Sequence, residues 1–524
     1  MDQTENKPFL DNRQTKTSSK RGFGLNVFVL CCAFAWLLPM QTQAQSSQIK
    51  LIWAKQTEGL KAKDNYAHRL TGDVHLRHDS TDLYCDSAWL YLNDNRFEAF
   101  GNVLLKKGDS VELECQYLSY GGNQHLAKAK HQVYLKKDTV RLYSDEMHYH
   151  IKEKWASYQN GGRVINDLDT LSSQDAMFDF QTHQIVFKHQ VEIRNADLRS
   201  TSEYLDYNTK SKNIQLRDDV RIYTDSSTIF LDRAKHIHYN KEIRGSGNIH
   251  AQHQHYTLFS DSVLMHTQDS TLWAWGNIHF IDSIDRLELK AQQAILEKQK
   301  QYNFFSDSVF LRQIERPDTF YCFADTMELW GNNDLLNLEA RSRVRLWREA
   351  LSLSCSFLKF DESKQHIKTQ NKPLMWLGEQ QIVADSALIK LKSNTLDSAF
   401  FDGDVFLMMP EDDTLDLFSQ VKGQHIAIDI DSNALSTVLV DANVEVLYCM
   451  FEEEKFTGIN RLDGAKLKLF LHKNEISRLV YLLNIEGKMR PSQDITKKNR
   501  FLSQFKDWRV FKPQKSDFQI NNMF

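Results

Sequence analysis

Proline and cysteine are both scarce in this sequence of 524 residues, with 7 of each. The low proline content, combined with 31 Phe, 18 Tyr and 10 Trp, is typical of chains built from β-strands. Cys31 and Cys32 lie in an N-terminal apolar segment, and the remaining cysteines are odd in number and widely spaced. This arrangement excludes a disulfide framework, and no CxxC pair indicates a zinc site.

Strong charge and catalytic motifs are also missing. The formal net charge of −4 gives no basis for a nucleic-acid partner. The sequence contains no GxSxG, P-loop, GxGxxG or HExxH motif. We therefore expect no catalytic residue, no cofactor and no metal, and we predict that the protein is not an enzyme.

Three histidine pairs are spaced by two residues, which places each pair on one face of a strand where it could hold a metal. The pairs are His148 and His150, His236 and His238, and His253 and His255. They fall at different phases of the repeat described below, and no carboxylate is patterned with them. The prediction is that these histidines lie on solvated strand faces.

The first 44 residues predict a secretory signal peptide. Lys20 and Arg21 precede an apolar run over residues 22–40, and small residues follow at Thr42 and Ala44. The run is nearly long enough to span a bilayer, so an uncleaved membrane anchor is the alternative. The expected location is the periplasm, with association to the inner or outer membrane left open.

What the sequence does contain is a short apolar phrase that recurs along most of the chain, as GDVHL, GNVLL, HQVYL, DDVRI and GNIHF. The interval is about 27 to 31 residues up to Val309 and then loosens, which is typical of stacked repeats. Leu374 fills one later gap and Ile485 is a candidate last copy. The anchor residues of the phrases are Val74, Val103, Val133, Val164, Val191, Val220, Ile249, Ile278, Val309, Val344, Val405 and Val444.

Each copy has a second half that begins with a small residue, as in CDSAWLYL from Cys85 and ADSALIKL from Ala384. Alternation of apolar and polar residues in both halves predicts two strands per copy. Cys85, Cys115 and Cys355 occupy the small-residue position and are interpreted as packing residues at a crowded inward corner. A stacked bridge between Cys85 and Cys115 remains open. Aspartates beside this position, such as Asp86 and Asp261, are expected to satisfy backbone groups at the corner.

The segment from Leu287 to Phe305 contains helix formers, but it also aligns with the repeat, and strand is favoured. Copies stacked in this way form a continuous apolar stripe. A closed stripe is the core of a solenoid, whereas an open one is a trough for a long apolar ligand.

The alternation of a G-[DN]-[VI] phrase with a small-residue phrase resembles the OstA-like family, over about residues 50 to 450. That family includes the periplasmic lipopolysaccharide-transport bridge protein and the N-terminal domain of the outer-membrane lipopolysaccharide assembly protein. The resemblance implies an all-β fold: an elongated, repetitive, antiparallel, taco-like β-jellyroll, here with about 13 to 14 copies of a roughly 30-residue two-strand unit. The chain departs from the family in having more copies than the bridge protein and no large C-terminal barrel domain.

The resemblance also implies a function, namely a non-catalytic periplasmic carrier that shelters lipopolysaccharide acyl chains in an apolar β-groove on the way to the outer membrane. The implied partners are lipopolysaccharide and the inner- and outer-membrane transport proteins, joined through edge strands. The predicted lining of the groove is Val74, Leu76, Val103, Leu105, Val133, Leu135, Val164, Val191, Ile193, Val220, Ile222, Ile249, Ile278, Phe280 and Val309.

Two alternatives remain open: a polysaccharide-binding or polysaccharide-cleaving β-solenoid with Trp273, Trp275 and Phe280 as sugar platforms, and a structural scaffold. The predicted organisation is a signal peptide over 1–44, regular repeats over 45–315, looser repeats over 316–490 and a basic, aromatic tail over 491–524. In the tail, Phe501, Phe505 and Trp508 are at helical spacing. They predict a segment that docks on a partner or membrane, with a capping helix or frayed tail as the alternative.

Overall fold

The computed structural model describes residues 48–62, 65–224, 226–253, 255–284, 286–314, 319–332, 335–453, 455–472 and 475–519. These residues form strands, turns and a few short 3₁₀ segments, so the predicted all-β, repetitive fold is confirmed. The predicted signal peptide lies outside the described residues. No helix among the residues searched is long and apolar enough to cross a membrane.

The strands up to the middle of the chain are β1 (Lys50–Trp53), β2 (Gln56–Ala62), β3 (Asn65–His78), β4 (Thr81–Tyr91), β5 (Arg96–Lys107), β6 (Val111–Gly121), β7 (Leu126–Lys137), β8 (Val140–His150), β9 (Trp155–Tyr158), β10 (Gly162–Asn166), β11 (Asp169–Ser173), β12 (Asp175–Asp179), β13 (Gln184–Arg194), β14 (Arg199–Asn208), β15 (Ile214–Tyr223), β16 (Ser227–Ile237), β17 (Glu242–His253) and β18 (Tyr256–His266).

The remaining strands are β19 (Thr271–Asp282), β20 (Leu287–Glu297), β21 (Tyr302–Ile314), β22 (Thr319–Asn332), β23 (Leu335–Arg348), β24 (Leu351–Asp361), β25 (His366–Gln370), β26 (Leu374–Leu377), β27 (Gln380–Val383), β28 (Ser386–Lys392), β29 (Thr395–Asp412), β30 (Leu417–Asp431), β31 (Ala434–Glu452), β32 (Lys455–His472), β33 (Glu475–Leu483) and β34 (Glu486–Pro491). The 3₁₀ segments are Lys298–Lys300, Ser492–Asp494, Lys497–Asn499, Arg509–Phe511 and Lys515–Phe518.

The 34 strands of the described residues belong to one sheet, in which the long strands pair antiparallel with the preceding and following strands. Near its middle each long strand is interrupted by a bulge that divides it into two halves. The halves at residues 74–78, 81–85, 103–107 and their equivalents along the chain form what we call the first wall. The halves at residues 65–71, 87–91, 96–100 and their equivalents form the second wall, and the bulges between the walls form the corner.

The sheet folds over at the corner, so that the two walls face each other. His78, at the end of β3 in the first wall, lies 2.9 Å from the hydroxyl of Tyr120, at the end of β6 in the second wall. In a flat sheet these residues would be three strands apart, about 14 Å, and at opposite ends of their strands. The contact therefore requires a V-shaped cross-section, with the corner at the apex and the strand ends at the mouth.

The recurring phrase makes the corner. In β5, Gly101 and Asn102 both have positive φ, of 70° and 43°, a conformation that Gly and Asn adopt more readily than other residues. A Cβ on Gly101 would lie 2.3 Å from the carboxylate of Asp86, and the Asn102 amide donates to that carboxylate at 3.0 Å. Gly276, Asn277 and Asp261 repeat this arrangement. The corner aspartates thus accept hydrogen bonds from side chains of the next strand.

In most phrases the anchor pairs with a small residue of the neighbouring strand inside the corner, whereas Val220 pairs with Leu231. Val74 pairs with Cys85, Val103 with Cys115, and Ile249 with Ser260. This confirms the predicted packing role of the small position. The five cysteines among the described residues are unpaired, so Cys85 and Cys115 form no bridge.

Two of the predicted anchor residues do not occupy the anchor position at the corner. In β10 the residue opposite the small position is Gly162, which pairs with Ser144 and Ser173, whereas Val164 lies two residues further and pairs with Leu142. In the copy that contains Leu374, the buried residue at the start of the phrase is Pro373, and Leu374 is half-buried. The preference for strand over helix at residues 287–305 is confirmed, since β20 and the start of β21 cover it apart from one 3₁₀ turn.

The C-terminal residues 492–519, which we call the strap, run across the outer face of the first wall. Leu502 is buried against Phe406, Met408 and Phe418, and Phe518 is buried against Phe310 and Phe323. The strap contains 3₁₀ turns, and no α-helix is found in its described residues. The helical spacing of its aromatic residues thus does not correspond to an α-helix, and the described part of the tail docks on its own sheet in an extended form.

Buried glutamines fasten the strap to the sheet. The side chain of Gln420 donates to the carbonyl of Arg500 at 3.0 Å and accepts from the amide of Leu502 at 2.8 Å. Gln381 makes the same pair of bonds with Lys506 and Trp508, at 2.9 and 2.7 Å. The side-chain amide of each glutamine makes the two hydrogen bonds that a neighbouring strand would make, one to a carbonyl and one to an N–H of the strap.

Candidate functional site

The candidate site is the apolar interior between the two walls. All of the predicted groove residues point into it and all are buried, with Phe280 the most exposed at 4%. All of them lie on the first wall. The structure brings together in one core cluster Val74, Leu76, Val103, Leu105, Val133, Leu135, Val164, Val191, Ile193, Val220, Ile222, Ile249, Ile278, Phe280 and Val309.

The second wall, which the sequence reading missed, supplies the other half of the interior. Its buried residues include Leu90, Phe97, Leu118, Phe187 and Leu216. The signal that could have found them is the alternating segment just before each G-[DN] dipeptide, such as RFEAF over residues 96–100.

The two walls are packed against each other. The ring of Phe280 on the first wall meets the ring of Phe305 on the second wall edge-to-face, with 5.7 Å between the centroids. Leu76 and Leu105 of the first wall likewise line a 10 Å³ gap with Phe97 and Tyr120 of the second. At these two places the apolar stripe is therefore a closed core rather than an open trough.

Polar bridges join the walls along the mouth. Asn95 in the second wall accepts from the amide of Ile49 at 2.9 Å. Tyr207 in the second wall donates to Asp169 at 2.6 Å and accepts from Asn166 at 2.8 Å, and both partners lie in the first wall. Burial raises the pKa of the Tyr207 hydroxyl, with a further contribution from Asp169, so it remains a donor at neutral pH.

A charged bridge follows further along the mouth, where the ammonium of Lys241 lies 2.6 Å from the carboxylate of Asp197. The next bridge joins the ammonium of Lys298 to the hydroxyl of Ser226 at 2.6 Å. Each of these contacts links a turn of the first wall to a turn of the second wall.

The mouth opens between these last two bridges, where a cavity of about 370 Å³ enters the interior. Its apolar lining comes from both walls and includes Ile222, Ile229, Leu258, Leu272 and Leu296. Asp197 and Lys298 stand at its rim. A second opening of about 190 Å³ lies near Val140 and Phe178, with Lys137 and Lys210 at its edge.

The interior offers little nucleophilic chemistry. Burial raises the pKa of the Cys85 and Cys115 thiols to about 12, which disfavours the reactive thiolate. The predicted sugar platform is not assembled, because Phe280 points inward whereas Trp275 is exposed on the outer face. These arrangements give no support to the enzymatic alternative.

The expectation that the paired histidines are solvated is wrong for His236, whose side chain is fully buried at the mouth. Burial lowers the pKa of His236 and favours the neutral imidazole. His148, His150, His238 and His253 are half-buried. The packing of the two walls, which the sequence did not reveal, accounts for the burial of His236.

Comparison with known proteins gives one family. Residues 46–203 match the family model described as OstA-like protein. No curated protein matches the chain.

Proposed function

Residues 46–203 belong to the OstA-like family, and from this premise we propose that the protein is a non-catalytic periplasmic carrier of lipopolysaccharide that takes acyl chains between its two walls. Family membership supports a role related to lipopolysaccharide transport. The observation that carries the specific proposal is an apolar interior that reaches solvent through openings along one mouth.

Insertion of an acyl chain into such an interior requires little free energy. A chain of roughly ten methylenes gains about 8 kcal/mol when it leaves water. Separation of the walls breaks contacts between apolar side chains, but the inserted methylenes replace those contacts with others of the same kind. The main barrier is the set of polar bridges at the mouth, and each contributes about 0.5–1.5 kcal/mol.

The 370 Å³ opening is the proposed point of entry. Its lining of Ile222, Ile229 and Leu258 suits hydrocarbon, and the ammonium of Lys298 at the rim suits a lipid phosphate. The groove residues of the first wall, from Val74 to Val309, would line the path once the walls have separated.

The ends of the sheet suit partners that add strands. Among the described residues, β1 and β2 pair with β3 alone, and β33 and β34 pair with β32 alone. Large apolar side chains are exposed at both edges, with Trp53 at 50% and Leu483 at 57%. Pairing of these edges with neighbouring transport proteins would bury them and extend the interior.

Site-specific photocrosslinking in cells tests the proposal. A photoreactive amino acid at Ile229, which lines the opening, is expected to form a lipopolysaccharide adduct, whereas the same group at Phe230, the next residue on the outer face, is not. A second inward and outward pair is Val220 and Arg221. Adducts at neither inward position, or equally at inward and outward positions, would contradict the carrier model and favour a structural scaffold.

A further inference from the structure

One cluster at the mouth is not explained by the packing of the walls. Asp197 lies in the turn between β13 and β14, on the first wall. His236 lies near the end of β16 and His238 just follows it, both on the second wall. One ligand atom from each residue can be chosen so that all three lie within 4.8 Å of one another.

Three ring nitrogens in this cluster lack hydrogen-bond partners among the described residues. Both ring nitrogens of His236 are buried and unbonded within the described part of the chain, as is Nδ1 of His238. The carboxylate of Asp197 is 3.7 Å from Nδ1 of His238, which is too long for a hydrogen bond. A buried polar atom without a partner costs about 1–3 kcal/mol. One nitrogen of each imidazole lies within 4.8 Å of the other and of the Asp197 carboxylate, and either nitrogen of His236 is unbonded, which together indicates a missing ligand.

We propose that Asp197, His236 and His238 bind a divalent transition-metal ion of the zinc type, which joins the two walls at the mouth. Two imidazoles and a carboxylate form a ligand set that Zn²⁺ accepts, with a fourth position left for water. Ligand atoms around tetrahedral Zn²⁺ are about 3.4 Å apart, given bonds of about 2.0–2.1 Å. Small side-chain rotations bring the three residues to that distance.

Lys241 is the competitor for this site. Its ammonium lies 2.6 Å from the Asp197 carboxylate, so it neutralises the charge that the metal would otherwise use. Metal binding requires Lys241 to turn away toward solvent, and its side chain is one-third exposed. The lysine bridge and the metal bridge are alternative ways to hold the same two turns together.

The position of the site gives the metal a second effect. Asp197 also lines the 370 Å³ opening, so a bound ion would fix one side of that opening. This effect rests on the proposed carrier function, whereas metal binding itself does not. A metal site without lipid transport and lipid transport without a metal site are therefore distinguishable results.

The test is titration of the purified, metal-free protein with Zn²⁺ by calorimetry and with Co²⁺ by visible absorption. One tight site with Co²⁺ bands typical of nitrogen and oxygen ligands is expected. Asp197→Asn and His238→Ala should each weaken binding by at least about 10-fold. His250→Ala, which removes an imidazole stacked on Phe259 on the outer face of β17, should leave affinity unchanged.

Lys241→Ala separates a metal site from a purely structural ion pair. Removal of the competing ammonium should raise Zn²⁺ affinity several-fold while it lowers the thermal stability of the metal-free protein. Zn²⁺ should also slow amide hydrogen exchange at residues 195–198 and 237–241. Absence of a tight site in the wild type, or unchanged binding in Asp197→Asn and His238→Ala, would overturn the proposal.

Discussion

The strands after residue 400 differ from those before residue 150 in what covers their outer face. In β5 the buried residues alternate with residues that face solvent: Phe97, Ala99, Val103 and Leu105 point inward. In β29, by contrast, the run from Val405 to Met409 is buried throughout. The difference arises because the strap covers the outer face of the first wall in the later strands.

Covering of the outer face by the strap explains why the repeat loosens toward the C-terminus. A strand that is buried on one face needs an apolar residue at every second position, whereas a strand buried on both faces reads as a continuous apolar run. The corner persists in both regions, since Val405 pairs with Gly423 and Val444 with Gly464. The change is one of outer covering, and the same V-shaped cross-section continues through both regions.

The largest expected effect is that of truncation after Pro491, which removes the strap. Phe406, Met408 and Phe418 would become exposed, and the buried side chains of Leu502 and Phe518 would be lost. Full burial of two such side chains stabilises a fold by about 3–6 kcal/mol. Hydrogen exchange should therefore show faster opening of β21, β22 and β29–β32 in the truncated protein, with β3–β8 unaffected.

Two point variants, one at a buried and one at an exposed residue of the strap, serve as controls for the deletion. Leu502→Ala should destabilise the same strands by about 2–5 kcal/mol, because Leu502 is only 3% exposed. Val510→Ala, at a strap residue that is 85% exposed, should have almost no effect. Equal loss of protection in β3–β8 and β29–β32 would show that the strap stabilises the whole sheet rather than one region.

Much of the first wall was predictable from the sequence, because an anchor such as Val103 directly follows two residues of positive φ and recurs at a nearly regular interval. The second wall was missed because the bulge changes the phase of the alternation. In β4, Leu83 and Cys85 point inward before the corner, but Ala88 and Leu90 do so after it. A prediction that continues the period of two through the corner places the residues of the second wall on the wrong face of the sheet.

The strap and the histidine cluster were not predictable, because both depend on contacts between distant parts of the chain. Gln420 and Gln381 carry no sequence signature that distinguishes them from exposed glutamines. Asp197 and His236 come together only because the sheet folds over, which no local spacing encodes. The aromatic spacing of the tail was misleading, since Phe501 and Phe505 stack on each other outside any α-helix.

A smaller effect is expected at the corner of the regular region. Gly101→Ala combines a left-handed backbone with a Cβ placed 2.3 Å from Asp86, so we expect a loss of about 2–3 kcal/mol in urea unfolding. Gly108→Ala is the matched control, because its φ is 55° and no atom lies within 4 Å of the new Cβ. It should cost only the backbone strain of about 1 kcal/mol.

The same corner in the looser region already contains alanine, since Ala442 has a φ of 62°. Other copies in the regular region carry His131, His189 or Asp218 at this position. The requirement for glycine at Gly101 is therefore local and comes from the close approach of Asp86 as well as from the backbone. Asp86→Ala in the Gly101→Ala background should recover part of the lost stability. An equal cost for Gly101→Ala and Gly108→Ala would show that the contact with Asp86 has no energetic importance.

The smallest loss of stability is expected at two turns that carry hydrogen-bonded aspartates, one in each region. The hydroxyl of Ser363 and the ammonium of Lys364 lower the pKa of Asp361 to about 2. The amides of Gln181 and Thr182 lower the pKa of Asp179 in the regular region. Both are ordinary aspartates in the unfolded chain, with a pKa of about 3.9.

Because the folded pKa is depressed, each carboxylate stabilises the protein above about pH 4, and the contribution is lost as the pH falls through the folded value. Both turns are exposed, so Asp361→Asn and Asp179→Asn should each cost less than about 1 kcal/mol at pH 7. Urea unfolding at several pH values between 2 and 7 should show each variant approaching the wild type at the acid end. Variants as stable as the wild type at pH 7 would show that the hydrogen bonds of these two carboxylates contribute nothing to folding.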